Sequence, residues 1–212
     1  MFDTIKTKYR RNPVFHAVLL SGFALISAVL LIIGNLLTAE SIELRRIEDL
    51  QFSLGQVIPS AMHDNSLWSD TRTLKTDTGE AVTYYLARKD GQFIGAAFEQ
   101  STAGYSGTIK LLIGVDRAGK ILGVRVLSHS ETPGLGDKID SAKSDWILSF
   151  DTLSLESVPE EKWKVKKDGG VFDQFSGATI TPRAVLSAVR KGLLLFARQK
   201  DQLLKSGSES TS

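Results

Sequence analysis

The chain contains no cysteine. That absence excludes disulfides, iron–sulfur clusters, thiolate zinc sites and thioether haem attachment together. Histidine is almost as scarce, with only His16, His63 and His129 present. His16 falls inside an apolar run, where it reads as a membrane-interface residue rather than a ligand. A charge excess of one sign is also missing. Against 26 basic residues stand 24 acidic ones, for a net charge of +2, and no basic stripe occurs, so nucleic acid is not an expected partner. If such a chain moves electrons, an organic cofactor must carry them.

What is present begins with a long hydrophobic run, "VFHAVLLSGFALISAVLLIIGNLL", from Val14 to Leu37. About 24 residues without a formal charge would reach roughly 36 Å as a helix, enough to cross a hydrocarbon core of about 30 Å. A cleaved signal peptide is the alternative, but its apolar stretch is only about 7–15 residues. Leu37 also occupies the place where a cleavage site needs a small residue. The run is therefore expected to be an uncleaved anchor over 14–37. Lys6, Lys8, Arg10 and Arg11 precede it, whereas Glu40 and Glu43 follow it before Arg45 and Arg46. The positive-inside rule then predicts residues 1–13 in the cytoplasm and the rest outside it. In a bacterium that means a single-pass inner-membrane protein with a periplasmic domain, a compartment that a cysteine-free domain suits.

Beyond the anchor, Ile42, Leu44, Ile47, Leu50, Leu54 and Val57 recur at helical spacing up to Pro59. They predict an amphipathic stalk over 38–59 that packs onto the following domain. Residues 60–204 are expected to form that domain. "AVTYYLAR" and "QFIGAAFE" flank "KDG" and predict a hairpin, and "TIKLLIGVD" and "ILGVRVLS" flank "RAGK" and predict another. "TAGYSG" reads as a loop between them. Ser141–Phe150 predicts a short helix with Trp146, Ile147 and Phe150 on one side, and a last helix is expected from near Pro182 to about Leu204. The polar end, 205–212, reads as a disordered tail. Hairpins followed by helices predict an α+β fold with a mostly antiparallel sheet.

Two glycine-rich stretches stand out. In "DQFSGATITPRAV" the tetrad Ser176-Gly177-Ala178-Thr179 precedes a helix start. Thr181 suits the N-cap there and Pro182 the first helical position. Free backbone N–H groups and the positive end of the helix dipole make the position of Thr179 suitable for an anion, with Lys166, Lys167 and Arg183 as further positive charge. A plain capping turn is the other reading of the same residues. The second stretch, "SHSETPGLGDKI", has Pro133, Gly134 and Gly136, which force turns and allow a planar ligand close approach. Its Gly-Leu-Gly is not a dinucleotide fingerprint, since the third glycine is missing. His129, Glu131 and Asp137 have metal-ligand chemistry but mixed spacing, and no metal site is expected. No catalytic Ser-His-Asp arrangement can be argued either.

The anchor together with "GYSGTIKLLIGVD", "ETPGLGDKI", "SDWILSF" and "WKVKKDGGVFDQFSGATITPRAV" resembles the G subunit of the Rnf (Rsx) electron transport complexes, along nearly the whole chain. The C subunit of the sodium-translocating NADH:quinone reductase is a longer relative with the same kind of domain. The resemblance implies FMN held as a phosphoester on the last residue of a motif that Asp173, Ser176, Gly177 and Ala178 match, with Thr179 as acceptor. It implies a separate flavin transferase that uses FAD and releases AMP, and partners among the membrane and peripheral subunits of the complex. By position, Tyr105, Ser106 and Gly107, with Thr132, Pro133, Gly134 and Leu135, are expected walls of the flavin pocket. Trp146 could stack on the ring or belong to the core. The implied function is a membrane-anchored electron carrier within an ion-translocating oxidoreductase, without a catalytic residue of its own. The rivals are the quinone reductase subunit, a cofactor-free scaffold and a membrane-bound ligand sensor.

Overall fold

The computed structural model describes residues 13–76 and 79–205. The cationic residues ahead of the anchor and residues 206–212 of the expected tail lie outside the described residues.

The first helix, α1 (Pro13–Val57), runs without a break through both the apolar segment and the expected stalk. No proline lies between its first residue and Pro59, and Pro59 itself disfavours helical backbone at Ile58. Among the described residues, Pro13–Ala39 is the one segment long and apolar enough to cross a membrane. Its side chains are bare, with Leu31 75% and Leu37 77% exposed, an apolar surface that water does not tolerate. The chain divides into two compact units at Glu48 and Asp49. The expected apolar stripe of the stalk is buried only at its end. Ile42 and Leu44 are exposed, whereas Leu54 and Val57 are fully covered and Leu50 is partly so.

In the second unit five strands, β1 (Thr71–Lys75), β2 (Ala81–Lys89), β3 (Gln92–Ala103), β4 (Thr108–Asp116) and β5 (Ile121–Ser128), form one antiparallel meander in chain order. Asp90 at φ 51° and Gly91 at φ 73° make the tight turn between β2 and β3, the backbone sense that matches strand twist. The segment expected as a loop between two hairpins is itself a turn. β3 and β4 pair up to Ala103 and Thr108, and Gly104 N donates to Gly107 O at 2.7 Å. β1 was not expected. Its alternation of exposed and half-buried residues marks a polar edge strand.

The strand period of two sends Leu111, Ile113 and Val115 to one face and Leu112 and Gly114 to the other. The first face packs under helix α2 (Ile180–Lys205), through Val185, Leu186, Val189, Leu193 and Phe196. The second face takes the end of α1 through Leu54 and Val57. Gly114 and Gly123 stand opposite each other in β4 and β5. A Cβ on Gly114 would strike the Val57 backbone, and one on Gly123 would lie 3.0 Å from Val57 Cα. The glycine pair is thus the floor on which α1 ends. The architecture is α+β, a sheet between two helices.

Residues 129–179 are mostly turns. The expected helix at 141–150 is shorter, a 3-10 turn at Asp145–Phe150 whose N-cap, Ser144, accepts from Trp146 N at 3.2 Å. Around it Trp146, Phe150, Trp163, Phe172 and Phe175 interlock, with Phe150 and Phe172 centroids 5.0 Å apart. This aromatic cluster holds a loop-rich region that has little regular backbone bonding of its own.

Candidate functional site

Helix α2 begins at Ile180, earlier than expected. Thr179 O accepts from Arg183 N at 3.4 Å, which puts Thr179, not Thr181, at the cap position. Pro182 is accommodated because N–H groups of a first turn have no partner within the helix. Ahead of the cap, Ala178 N donates to Phe175 O at 3.3 Å, closing a turn. Gly177 sits in it at φ 80°, backbone that a side-chain-bearing residue resists. Among the described residues, neither Ile180 N nor Thr181 N donates to a protein acceptor. Two amides and the positive end of a 26-residue helix therefore open beside the Thr179 side chain.

Thr179, Ile180 and Thr181 line a cleft of about 340 Å³, near the lower end of the roughly 300–1,000 Å³ typical of small-molecule sites. One wall is Gly177, Ala178, Thr179 and Ile180, and the others come from Tyr105 in the β3–β4 turn and from Thr132, Leu135 and Gly136. Tyr105, Leu135 and Ile180 are 70%, 44% and 49% exposed, so the mouth is rimmed with apolar surface. Glu131 and Thr181 complete the lining. Glu131 is only 4% exposed; its Oε1 accepts from Ser106 N at 3.0 Å and its Oε2 from the Thr181 hydroxyl.

Of the residues expected at the site, Tyr105, Thr132, Leu135, Gly177, Ala178 and Thr179 meet in this cleft. Ser106, Gly107, Pro133, Gly134, Asp173, Ser176 and Trp146 are not among its lining. Gly134 makes the turn before Leu135, at φ 78°. Trp146 packs edge-on against Phe150 and Phe175, at 5.3 and 5.1 Å. Its Nε1 donates to Asp173 O at 2.8 Å, which fixes the segment leading to Thr179. Two of the expected cations are engaged elsewhere. Arg183 grips Asp168 through two bonds of 2.6 and 2.8 Å, and Lys166 pairs with Asp173 at 2.6 Å. The Arg183 hydrogen bond holds the Asp168 carboxyl below its ordinary range. His129 Nδ1 accepts from Glu131 N at 3.1 Å, and among the described residues no group of three acidic or histidine side chains is disposed to hold a metal.

Residues 104–194 match the family described as "FMN-binding domain", a stretch that starts at the β3–β4 turn and ends within α2. Over 196 residues the chain is 47% identical to the G subunit of the ion-translocating oxidoreductase complex of Cereibacter sphaeroides, covering 92% of this chain and 90% of that protein. The chain belongs to the family of G subunits of the ion-translocating oxidoreductase complexes. Another G subunit, from Stutzerimonas stutzeri, is 46% identical over 191 residues, covering 90% of this chain and 84% of that one. A crystal structure of NqrC from Shewanella oneidensis aligns with a TM-score of 0.47 at 22% identity, over 73% of this chain and 74% of that one.

Sequence reasoning missed Ile180 in the cleft; it named Gly136 only as a turn glycine that allows close approach, Thr181 only as a helix cap and Glu131 only by residue type. The available signal was the glycines. A Cβ on Gly104 would strike Glu131 Oε1, and one on Gly136 would lie 2.9 Å from Thr181 Oγ1 and 3.0 Å from Glu131 Oε2.

Proposed function

We propose that this chain carries FMN as a phosphoester on Thr179 and, from outside the cytoplasm, relays electrons among the subunits of its complex. The observation that supports this reading is Thr179 itself, lining the cleft at the start of α2 beside the open amides of Ile180 and Thr181. In the attachment step the Thr179 hydroxyl oxygen bonds to the flavin-side phosphorus of FAD. The anhydride bond breaks, AMP leaves, and the hydroxyl proton is released; a flavin transferase catalyses the exchange. The first turn of α2, with the positive end of its dipole, would then receive the phosphodiester charge.

The bound flavin supplies reversible electron uptake, which the side chains of a cysteine-free chain do not. The chain's own residues position and shield. Gly177 and Ala178 keep the backbone uncovered so that a bulky group can lie against it. Tyr105, Leu135 and Ile180 present exposed apolar surface at the mouth, which would shield a flavin ring lying against it. Trp146, bonded to the Asp173 carbonyl, fixes the approach to Thr179 from the aromatic cluster rather than from within the cleft.

Thr179→Val keeps the shape of the side chain and removes the acceptor oxygen. Co-expressed with the transferase, the wild-type chain is expected to gain about 438 Da, one FMN less one water, and to fluoresce on a denaturing gel. The variant is expected to fold and to do neither. A flavin-bearing Thr179→Val chain sinks the assignment.

A further inference from the structure

Glu131 is a carboxylate with almost no contact with water, a costly placement unless its oxygens are satisfied. Both are. Oε1 accepts from Ser106 N in the β3–β4 turn, and Oε2 from the hydroxyl of Thr181 in the first turn of α2. Its own amide donates to His129. One side chain thus links three segments that are far apart in sequence and that together make the cleft. Two of them are kept free of side chains where they approach it, since a Cβ on Gly104 or on Gly136 would collide with Glu131. The room for this carboxylate is built into the backbone.

We infer that Glu131 is a positioning residue for the covalent loading of Thr179. It anchors the first turn of α2 through Thr181, two residues beyond the acceptor, and draws the Tyr105 turn over the same cleft. This rests on the reading of Thr179 as the flavin acceptor. Because Glu131 is only 4% exposed, its loss changes how Thr179 is presented rather than the outer surface on which a transferase docks. The effect belongs in kcat at saturating chain. A chain that is merely part-unfolded instead raises the apparent KM, since fewer molecules are competent.

The test uses the full chain, FAD and purified transferase, with loading followed by intact mass. Glu131→Ala is expected to lower kcat about tenfold or more, the scale of losing buried hydrogen bonds, with KM unchanged. Glu131→Gln restores it to within about twofold, because the amide oxygen still accepts from Ser106 N–H and the amide nitrogen donates to Thr181 Oγ1. Thr181→Val, which removes one partner at nearly constant shape, is expected to lower kcat as well. In the unloaded chain, deuterium exchange at the Ser106 amide is expected to quicken in Glu131→Ala and to stay slow in Glu131→Gln, with β4 amides unchanged in both. Wild-type kcat in Glu131→Ala and Thr181→Val overturns the inference, and so does a Gln variant as impaired as the Ala variant. In either case a loaded wild type and a bare Thr179→Val chain leave the proposed function standing. A wild-type chain that stays bare overturns both.

Discussion

Tyr84 shows how individual polar atoms are placed in this domain. Its ring is fully buried against Phe98, with centroids 5.2 Å apart, and its hydroxyl donates to Gln199 Oε1 at 2.8 Å. Gln199 in turn donates to Lys75 O at 3.0 Å, so one chain of bonds joins β2, α2 and the edge strand β1. Burial pushes the Tyr84 hydroxyl well above its ordinary pKa, which keeps it a donor at neutral pH. Tyr84→Phe is expected to cost about 1–3 kcal/mol, because Gln199 Oε1 is left buried without its donor; thermal unfolding of the chain measures it. At this scale the sequence was legible where the chemistry is local. Gly177 and Thr179 stand close together before a helix, and turn and cap rules apply to near neighbours. Glu131 was not legible in the same way, because its partners lie 25 and 50 positions away. Arg183 and Lys166 were legible as cations but not as the partners of Asp168 and Asp173.

Elements depend on how closely backbones can approach. Helix α2 comes close to the sheet at Gly192, where a Cβ would lie 2.9 Å from Phe98 Cε2 and 3.0 Å from Ile113 Cδ1. Neither neighbour can yield, since Phe98 is stacked at 6.2 Å on Phe196 and Ile113 is sealed in the sheet. Gly192→Ala is therefore expected to destabilise by about 1–3 kcal/mol, despite the better helix propensity of alanine. Gly55→Ala, on the exposed face of the last turn of α1 where a Cβ meets nothing within 4 Å, is expected to stabilise by about 0.5–1 kcal/mol. Denaturant titration of the two variants should give opposite signs. The four long strands were readable because period-two alternation and glycine turns announce them. β1 was hidden because its residues, Thr-Arg-Thr-Leu-Lys, look polar, as an edge strand's must. The helix expected at 141–150 shortened for another reason. Its residues pack by aromatic contact rather than along a helical stripe.

For the whole molecule, the decisive asymmetry is between an apolar segment bare of any protein cover and a domain whose core is closed. The unit up to Glu48 holds the one described segment fit to cross a membrane. The unit from Asp49 holds the sheet, the cleft and α2. Basic residues before the span and acidic ones after it put the second unit outside the cytoplasm in our reading. A reporter active only in the cytoplasm, fused at the C-terminus, is then expected to be silent, while one active only in the periplasm works. Cytoplasmic activity would reverse the orientation. The cleft has one more consequence, in time rather than space. Its pieces come from residues as far apart as Tyr105 and Thr181, and the last of them is held in place by a helix that ends at Lys205. A growing chain therefore has no pocket to offer until that helix has left the ribosome and docked on its sheet. Pigment on this protein would be a receipt for completed folding.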